Sequence, residues 1–264
     1  MKVFIVPYRN RDAQLCIFLS HLKYLLEDES SNDYRIYIIN QADERTFNRG
    51  AMRNIGFLEA KKDFPHTYKD IDFVFHDLDN LVGRKNVVEF TTQHGNINHI
   101  FGNYYNDVLQ GIFVIKGGDY EKTNGFPNLW GWGGEDVVLY YRCQKAHLKL
   151  IRNKFACGDA RVVYLDSQSA PMLYLRTSNT FNEIVVKKAR QGTIIRDGIS
   201  SIKNIKTLRV NMAPSVYMIN ISTFTCNNSE KNYRPNKKWV MDSVLFSTFL
   251  KNNRRLIKSM ISLK

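Results

Sequence analysis

Ile71-Asp72-Phe73-Val74-Phe75-His76-Asp77-Leu78-Asp79-Asn80 is the stretch around which the rest of this chain can be read. β-Branched and aromatic residues dominate its first six positions, which predicts a strand. The strand runs into two carboxylates, Asp77 and Asp79, separated by one residue. In an extended chain alternate side chains point the same way, so both acids are expected on one side at the strand's carboxyl end. Open α/β sheets bind ligands beyond that end. Two hard oxygen donors there suit manganese or magnesium together with a diphosphate. An acidic triplet also occurs in ordinary solvated turns, so its weight comes from its surroundings.

Upstream, Val3-Phe4-Ile5-Val6-Pro7 is a short apolar strand that runs into Tyr8-Arg9-Asn10-Arg11. Guanidinium forks match phosphate oxygens and stack on bases; a solvated charged turn is the plainer alternative. A helix follows over Asp12 to Glu27, with Leu15, Phe18, Leu19, Leu22, Leu25 and Leu26 at helical spacing and read as core. Tyr34 to Asn40 is a second strand, and Phe47-Asn48-Arg49-Gly50 opens a second helix through Ala51, Ile55, Gly56 and Leu58. Strand, helix, strand, helix, strand predicts a parallel α/β sheet.

Downstream, Asn124-Gly125-Phe126-Pro127-Asn128 precedes Trp130-Gly131-Trp132-Gly133-Gly134-Glu135-Asp136. Glycine allows positive φ and a close backbone approach to a ligand. Indoles offer flat apolar faces to a sugar ring. Adjacent carboxylates can act as a base or hold hydroxyls. The alternative is a glycine-rich turn into a helix whose dipole the acids complement, although a cap does not require two tryptophans.

In this order these segments resemble the β-1,4-galactosyltransferase family, glycosyltransferase family 7. The matching pieces are Val6 to Arg11, Ile39-Asn40-Gln41-Ala42, Phe47-Asn48-Arg49 with Asn54-Ile55-Gly56-Phe57, Asp77-Leu78-Asp79, Asn124 to Asp136, and Asp197-Gly198-Ile199-Ser200-Ser201. The resemblance implies a GT-A type α/β fold, with a mixed central sheet flanked by helices. It implies an inverting transfer of galactose, or N-acetylgalactosamine, from a UDP-sugar to a glycan or glycolipid hydroxyl, with manganese and magnesium as the metals to consider. By position it implies that Pro7, Arg9, Arg11, Phe47, Arg49, Asp77 and Trp132 line the donor site. Asp79 matches a metal ligand, Asp136 the catalytic base and Glu135 its acidic neighbour. The chemistry agrees with those roles: a departing diphosphate needs its growing charge neutralised, and one base suffices for direct displacement.

Three departures qualify the resemblance. Val137 stands where the family has a third acid near the acceptor, which puts N-acetylglucosamine as acceptor in doubt. The family's histidine metal ligand beyond the base is missing, since the last histidine is His147; Asp166 or Tyr164 could substitute. A position that is commonly aromatic falls near Val108 and Leu109, where a smaller side chain could admit N-acetylgalactosamine.

The 264 residues and 44% hydrophobic content suit one catalytic domain, 1–225, followed by a basic extension, 226–264. Cys16, Cys143, Cys157 and Cys226 have neither zinc spacing nor a dense disulfide pattern, and Cys16 and Cys143 read as core thiols. The net charge of +13 raises nucleic acid as a partner, but no such motif is present and none is expected to bind. Between 239 and 264, Val240, Met241, Val244, Leu245, Phe249, Leu256, Ile257, Met260 and Ile261 form a near-helical stripe with a basic back. This helical extension could rest on an anionic membrane or pack on the protein itself. No apolar run is long enough to span a bilayer and the first residues read as a strand rather than a signal peptide. The expectation is therefore a cytoplasmic enzyme, with peripheral membrane contact through 239–264 and packing of that segment on the protein itself left as the two alternatives. A non-catalytic glycan- or nucleotide-binding relative is the alternative.

Overall fold

The structure is a computed structural model and describes residues 1–102, 107–131, 133–152, 161–164 and 180–228. Trp132, Asp166 and the extension beyond residue 228 lie outside the described residues.

The predicted alternation forms. Strand β1 (Lys2–Tyr8) leads to helix α1 (Asp12–Leu25), β2 (Tyr34–Gln41), α2 (Arg49–Asp63) and β3 (Asp72–His76). β1 pairs in parallel with both β2 and β3, with Ile5 opposite Tyr37 on one side and Phe75 on the other. Buried on both faces, these strands are almost uniformly apolar, as a covered parallel sheet requires. Helix α2 starts later than expected, at Arg49. Asn48 is its N-cap, its side chain accepting from the Ala51 amide at 2.9 Å.

Beyond β3 come β4 (Asn80–Val82), β5 (Asn96–Phe101), β6 (Ile112–Lys116), α3 (Gly117–Lys122), α4 (Glu135–Lys145), β7 (Lys149–Arg152), β8 (Val162–Tyr164), α5 (Thr180–Arg190), β9 (Lys203–Ala213) and β10 (Val216–Thr225). The main sheet has the order β7-β5-β6-β3-β1-β2-β10-β9, and β4 and β8 form a small second sheet. It is mixed, because β6 is antiparallel to β3 and to β5, and β9 to β10. β10 returns late in the chain to lie parallel beside β2.

Two apolar layers sandwich the sheet. α2 packs with Phe57, Phe73, Phe75, Phe113, Tyr120 and Phe126 on one face. α1 packs Phe18 and Leu22 with Phe4, Ile38 and Val74 on the other. Cys143 is a core thiol as expected; Cys16 is only half-buried on α1, because it falls at the flank of the apolar stripe. No helix among the described residues is long and apolar enough to cross a membrane.

The loop that carries Asn124 to Asn128 is pinned to α2. Asn54 Oδ1 accepts from Tyr120 Oη at 2.6 Å and from the Phe126 amide at 3.0 Å, while Asn54 Nδ2 donates to Asn128 Oδ1 at 2.9 Å. Gly125 holds φ +64° there, and a Cβ would lie 2.3 Å from Asn54 Oδ1. Gly125→Ala is expected to cost about 1–3 kcal/mol, from left-handed strain plus overpacking. Urea unfolding checks this; an unchanged midpoint would mean that the loop relaxes freely.

Candidate active site

The site assembles where consecutive strands end. Arg9 and Arg11 follow β1, α2 opens after β2, and Asp77 and Asp79 follow β3. Arg9 donates to the carbonyl oxygens of Asp43 (2.8 Å) and Arg45, so it shapes the loop before α2. Arg11 Nη1 meets Asp79 Oδ2 at 3.2 Å. Pro7 is buried within β1, opposite Ile39. Phe47 packs against the core, and its carbonyl accepts from the Gly131 amide at 3.0 Å, which ties the glycine-rich loop to the start of α2.

That loop takes the positive φ expected of its glycines, and it corrects the reading of one tryptophan. Gly131, Gly133 and Gly134 all have positive φ, and Gly134 at φ +94° is the N-cap of α4. The turn delivers Glu135 and Asp136 into the helix's first turn, buried. Trp130, however, is no sugar platform. It is buried, stacked on Phe224 at 5.5 Å, and its Nε1 donates to the Asn228 carbonyl at 2.8 Å. An indole in a glycine-rich loop can serve the core as well as a ligand, and composition alone does not distinguish the two.

Asp77 and Asp79 meet different partners. β3 ends at His76, so extended geometry no longer governs them. Asp79 faces Arg11, whereas Asp77 turns to α2. There Arg49 donates to Glu135 Oε1 (2.6 Å), Asp136 Oδ2 (2.5 Å) and Asp77 Oδ2 (3.3 Å). Arg53 donates to Asp136 Oδ1 (2.8 Å) and to Asp77 Oδ1. Three acids thus share two permanently charged guanidiniums.

Surplus negative charge and burial act on Asp136. Burial pushes its carboxyl up to about 6, helped by Glu135 and Asp77 and opposed by Arg49 and Arg53. Asp77 moves the other way: burial alone would raise it, but Arg53 and Arg49 hold it below the usual carboxylate range. One buried carboxyl is thereby poised near neutrality beside another that stays ionised, a pattern that marks functional sites. Glu135 Oε2 is buried and has no hydrogen-bond partner among the described residues. His76 next to the site stays neutral, burial lowering it to about 4.

Arg53 was not legible as a site residue. Its signal was its spacing four residues from Arg49, which puts both on one face of α2. The Asp197–Ser201 segment turns out to be a brace. Asp197 accepts from the Asn128 amide (2.6 Å) and side chain (2.9 Å), and Arg142 of α4 donates to the Ile195 carbonyl at 2.8 Å and to that of Asp197. Val108 and Leu109 are buried, and the Leu109 amide donates to the Asp136 carbonyl at 3.2 Å. Among the described residues, no three His, Cys, Asp or Glu side chains are grouped to hold a metal by themselves.

Family models give this arrangement its place. Residues 1–88 match the N-terminal region of glycosyl transferase group 7, and residues 96–165 match the N-terminal domain of galactosyltransferase. The chain belongs to glycosyl transferase group 7. Among its group 7 relatives, β-1,4-galactosyltransferase 1 of Bos taurus is 31% identical over 207 residues, 75% of this chain and 48% of that protein. β-1,4-galactosyltransferase 4 of Homo sapiens is 34% identical over 169 residues, 61% of this chain and 47% of that protein. The chain spans about half the length of the curated relatives it matches. The catalytic domain of Drosophila β-1,4-galactosyltransferase 7, crystallised with xylobiose, superposes with a TM-score of 0.67 at 22% identity, over 88% of this chain and 96% of that one. A mutant of the same Drosophila enzyme, crystallised with manganese, UDP-Gal and xylobiose, gives 0.66 at 21% identity, with the same coverage. The group 7 chain therefore has the expected GT-A type fold.

Proposed function

We propose that this chain transfers galactose, or N-acetylgalactosamine, from a UDP-sugar to a hydroxyl of a glycan acceptor, inverting the anomeric centre. One observation carries the reading: Asp136 is a buried carboxylate raised towards neutrality, held by Arg49 and Arg53 beside Glu135 and Asp77, beyond the ends of β1, β2 and β3. The manganese, UDP-Gal and xylobiose held by the Drosophila relative support the substrate classes.

Asp136 takes the acceptor hydroxyl's proton as that oxygen attacks carbon 1 of the donor sugar. The bond from that carbon to the diphosphate breaks, with its electron pair leaving on UDP. Glu135 orients a sugar hydroxyl. Arg11 and Arg49, both partly exposed at the mouth, meet phosphate charge. Asp79 suits a manganese or magnesium ion, because such ions are held by one or two carboxylates completed by substrate phosphates and water. When bound, the metal would supply charge neutralisation of the leaving diphosphate. Asp166, the second ligand we propose, lies outside the described residues.

The pH dependence follows from Asp136. Its ionised form is the base, so kcat/KM should fall about tenfold per unit below pH about 6. Stability should respond oppositely. A carboxyl raised in the fold favours the protonated state, so its contribution is complete below the unfolded carboxylate value and is lost as pH rises through about 6. Acidification from neutrality towards pH 5 should thus slow turnover without lowering the melting temperature; an acid limb in activity that tracks unfolding would contradict this.

The direct test incubates the full chain with UDP-Gal, UDP-GalNAc or UDP-Glc, with a glycan panel, in manganese or EDTA. UDP release and the product's anomeric configuration by NMR are the readouts. A β-linked product supports the proposal. Glycan or UDP binding without release from any donor would leave a non-catalytic binding protein.

A further inference from the structure

Arg49 and Arg53 reach Asp136 from different surroundings. The Arg49 side chain is 20% exposed at the mouth and holds Oδ2. The Arg53 side chain is 0% exposed, its guanidinium lies 4.5 Å from the Phe126 ring centroid, and its terminal nitrogens are committed to Asp136 Oδ1 and Asp77 Oδ1. A guanidinium at the mouth can exchange a carboxylate for an incoming phosphate or hydroxyl. One with no exposed surface and both prongs occupied cannot do so without leaving its aromatic seat.

We propose that Arg53 is a positioning residue for the transfer reaction: it clamps Oδ1 of Asp136, so that Oδ2 is the atom offered to the acceptor hydroxyl when Arg49 turns to the donor. This rests on the transferase reading above. In the step, the acceptor O–H bond breaks and its proton passes to Oδ2. The oxygen's electron pair forms the bond to carbon 1, and the bond from carbon 1 to the diphosphate oxygen breaks, its pair leaving on UDP. Arg53 also sets the base's ionisation. The charged groups that face Asp136 are Arg49 and Arg53 from α2, Asp77 from the end of β3 and Glu135 from its own turn. With Arg49 engaged by donor, Arg53 is the cation left among these groups to keep Asp136 ionised against two acids.

The experiment compares Arg53→Met and Arg53→Lys in the full chain. It measures UDP affinity, kcat, the pH profile of kcat/KM, and the Asp136 carboxyl titration by carbon-13 NMR, the resonance being assigned by its loss in Asp136→Asn. In Arg53→Met the carboxyl titration and the acid limb should both rise by about one pH unit or more, because a nearby cation is lost. In the same variant kcat should fall roughly 10- to 100-fold while UDP affinity stays within about twofold. Arg53→Lys keeps the charge but not the fork, so it should hold the titration near wild type and recover part of kcat. A folded Arg53→Met protein whose titration and acid limb stay in place would make Arg53 merely structural and overturn the proposal. Should that variant not fold, Arg53→Lys decides: reduced kcat with an unmoved titration supports the clamp, and wild-type kcat overturns it. If the wild type transfers nothing from any UDP-hexose, the transferase reading fails instead, and the carboxyl titration still tests Arg53's hold on Asp136.

Discussion

Asp136→Asn is expected to lower kcat by roughly a hundredfold or more while leaving the protein folded and able to bind UDP. Asparagine keeps the shape of the side chain and can still accept a hydrogen bond from an arginine, but it cannot take a proton at neutral pH. The effect on the fold should be mild for a reason visible in the charges. Arg49 and Arg53 now face three acids, and the substitution leaves them facing two, Asp77 and Glu135. Burial already disfavours ionised Asp136, so losing its charge offsets part of the cost of setting an amide NH2 where one oxygen accepted from an arginine. Melting temperature above pH 6 should therefore stay close to that of wild type. Near-normal kcat in a folded Asp136→Asn protein would remove Asp136 from the role of base.

Asp79→Ala should abolish most of the metal-dependent part of UDP binding, a loss of about a hundredfold in affinity. Among the described residues no three potential ligands are grouped, so an ion would lean on Asp79 and on the donor's own phosphates. The apo protein should be affected less. Asp79 accepts from Arg11 and from Asn80 Nδ2, each at 3.2 Å, and a net loss of about 1 kcal/mol per such contact is small beside the loss in UDP binding. Calorimetric titration with UDP in manganese and in EDTA separates the two effects. Equal affinity of wild type in both buffers would sink the metal reading, whatever the variant does.

Much of this could be read from the chain before its fold was known. Strand β3 and its carboxylates, the arginines after β1, the N-terminus of α2 and the Glu135–Asp136 turn are local features, written in apolar runs, glycines and charge. What was not legible depends on contacts between distant segments. β10 joins the sheet beside β2 from far along the chain, and no local pattern announces which edge a late strand will find. Trp130 looked like a ligand platform because its partners, Phe224 and the Asn228 carbonyl, come from that same late segment. Nothing local singles out Arg53, because its burial follows only once Asp77, Phe126 and Asp136 close over it. Asp77 and Asp79 meet different partners for a local reason: the strand that would have aligned them stops at His76.

The contacts around α2 close a loop of four. Asp77 binds both Arg49 and Arg53, and Asp136 binds the same two. Such a closed circuit restricts how the sequence can drift. A change at one corner alters the hydrogen bonds and charge that both neighbouring corners meet, so substitutions at these four positions should be non-additive. Related chains that have lost Arg53 would then be expected to differ at one of its partners or at Phe126 as well. A library that randomises the four positions together should recover folded members as covarying sets rather than as independent choices.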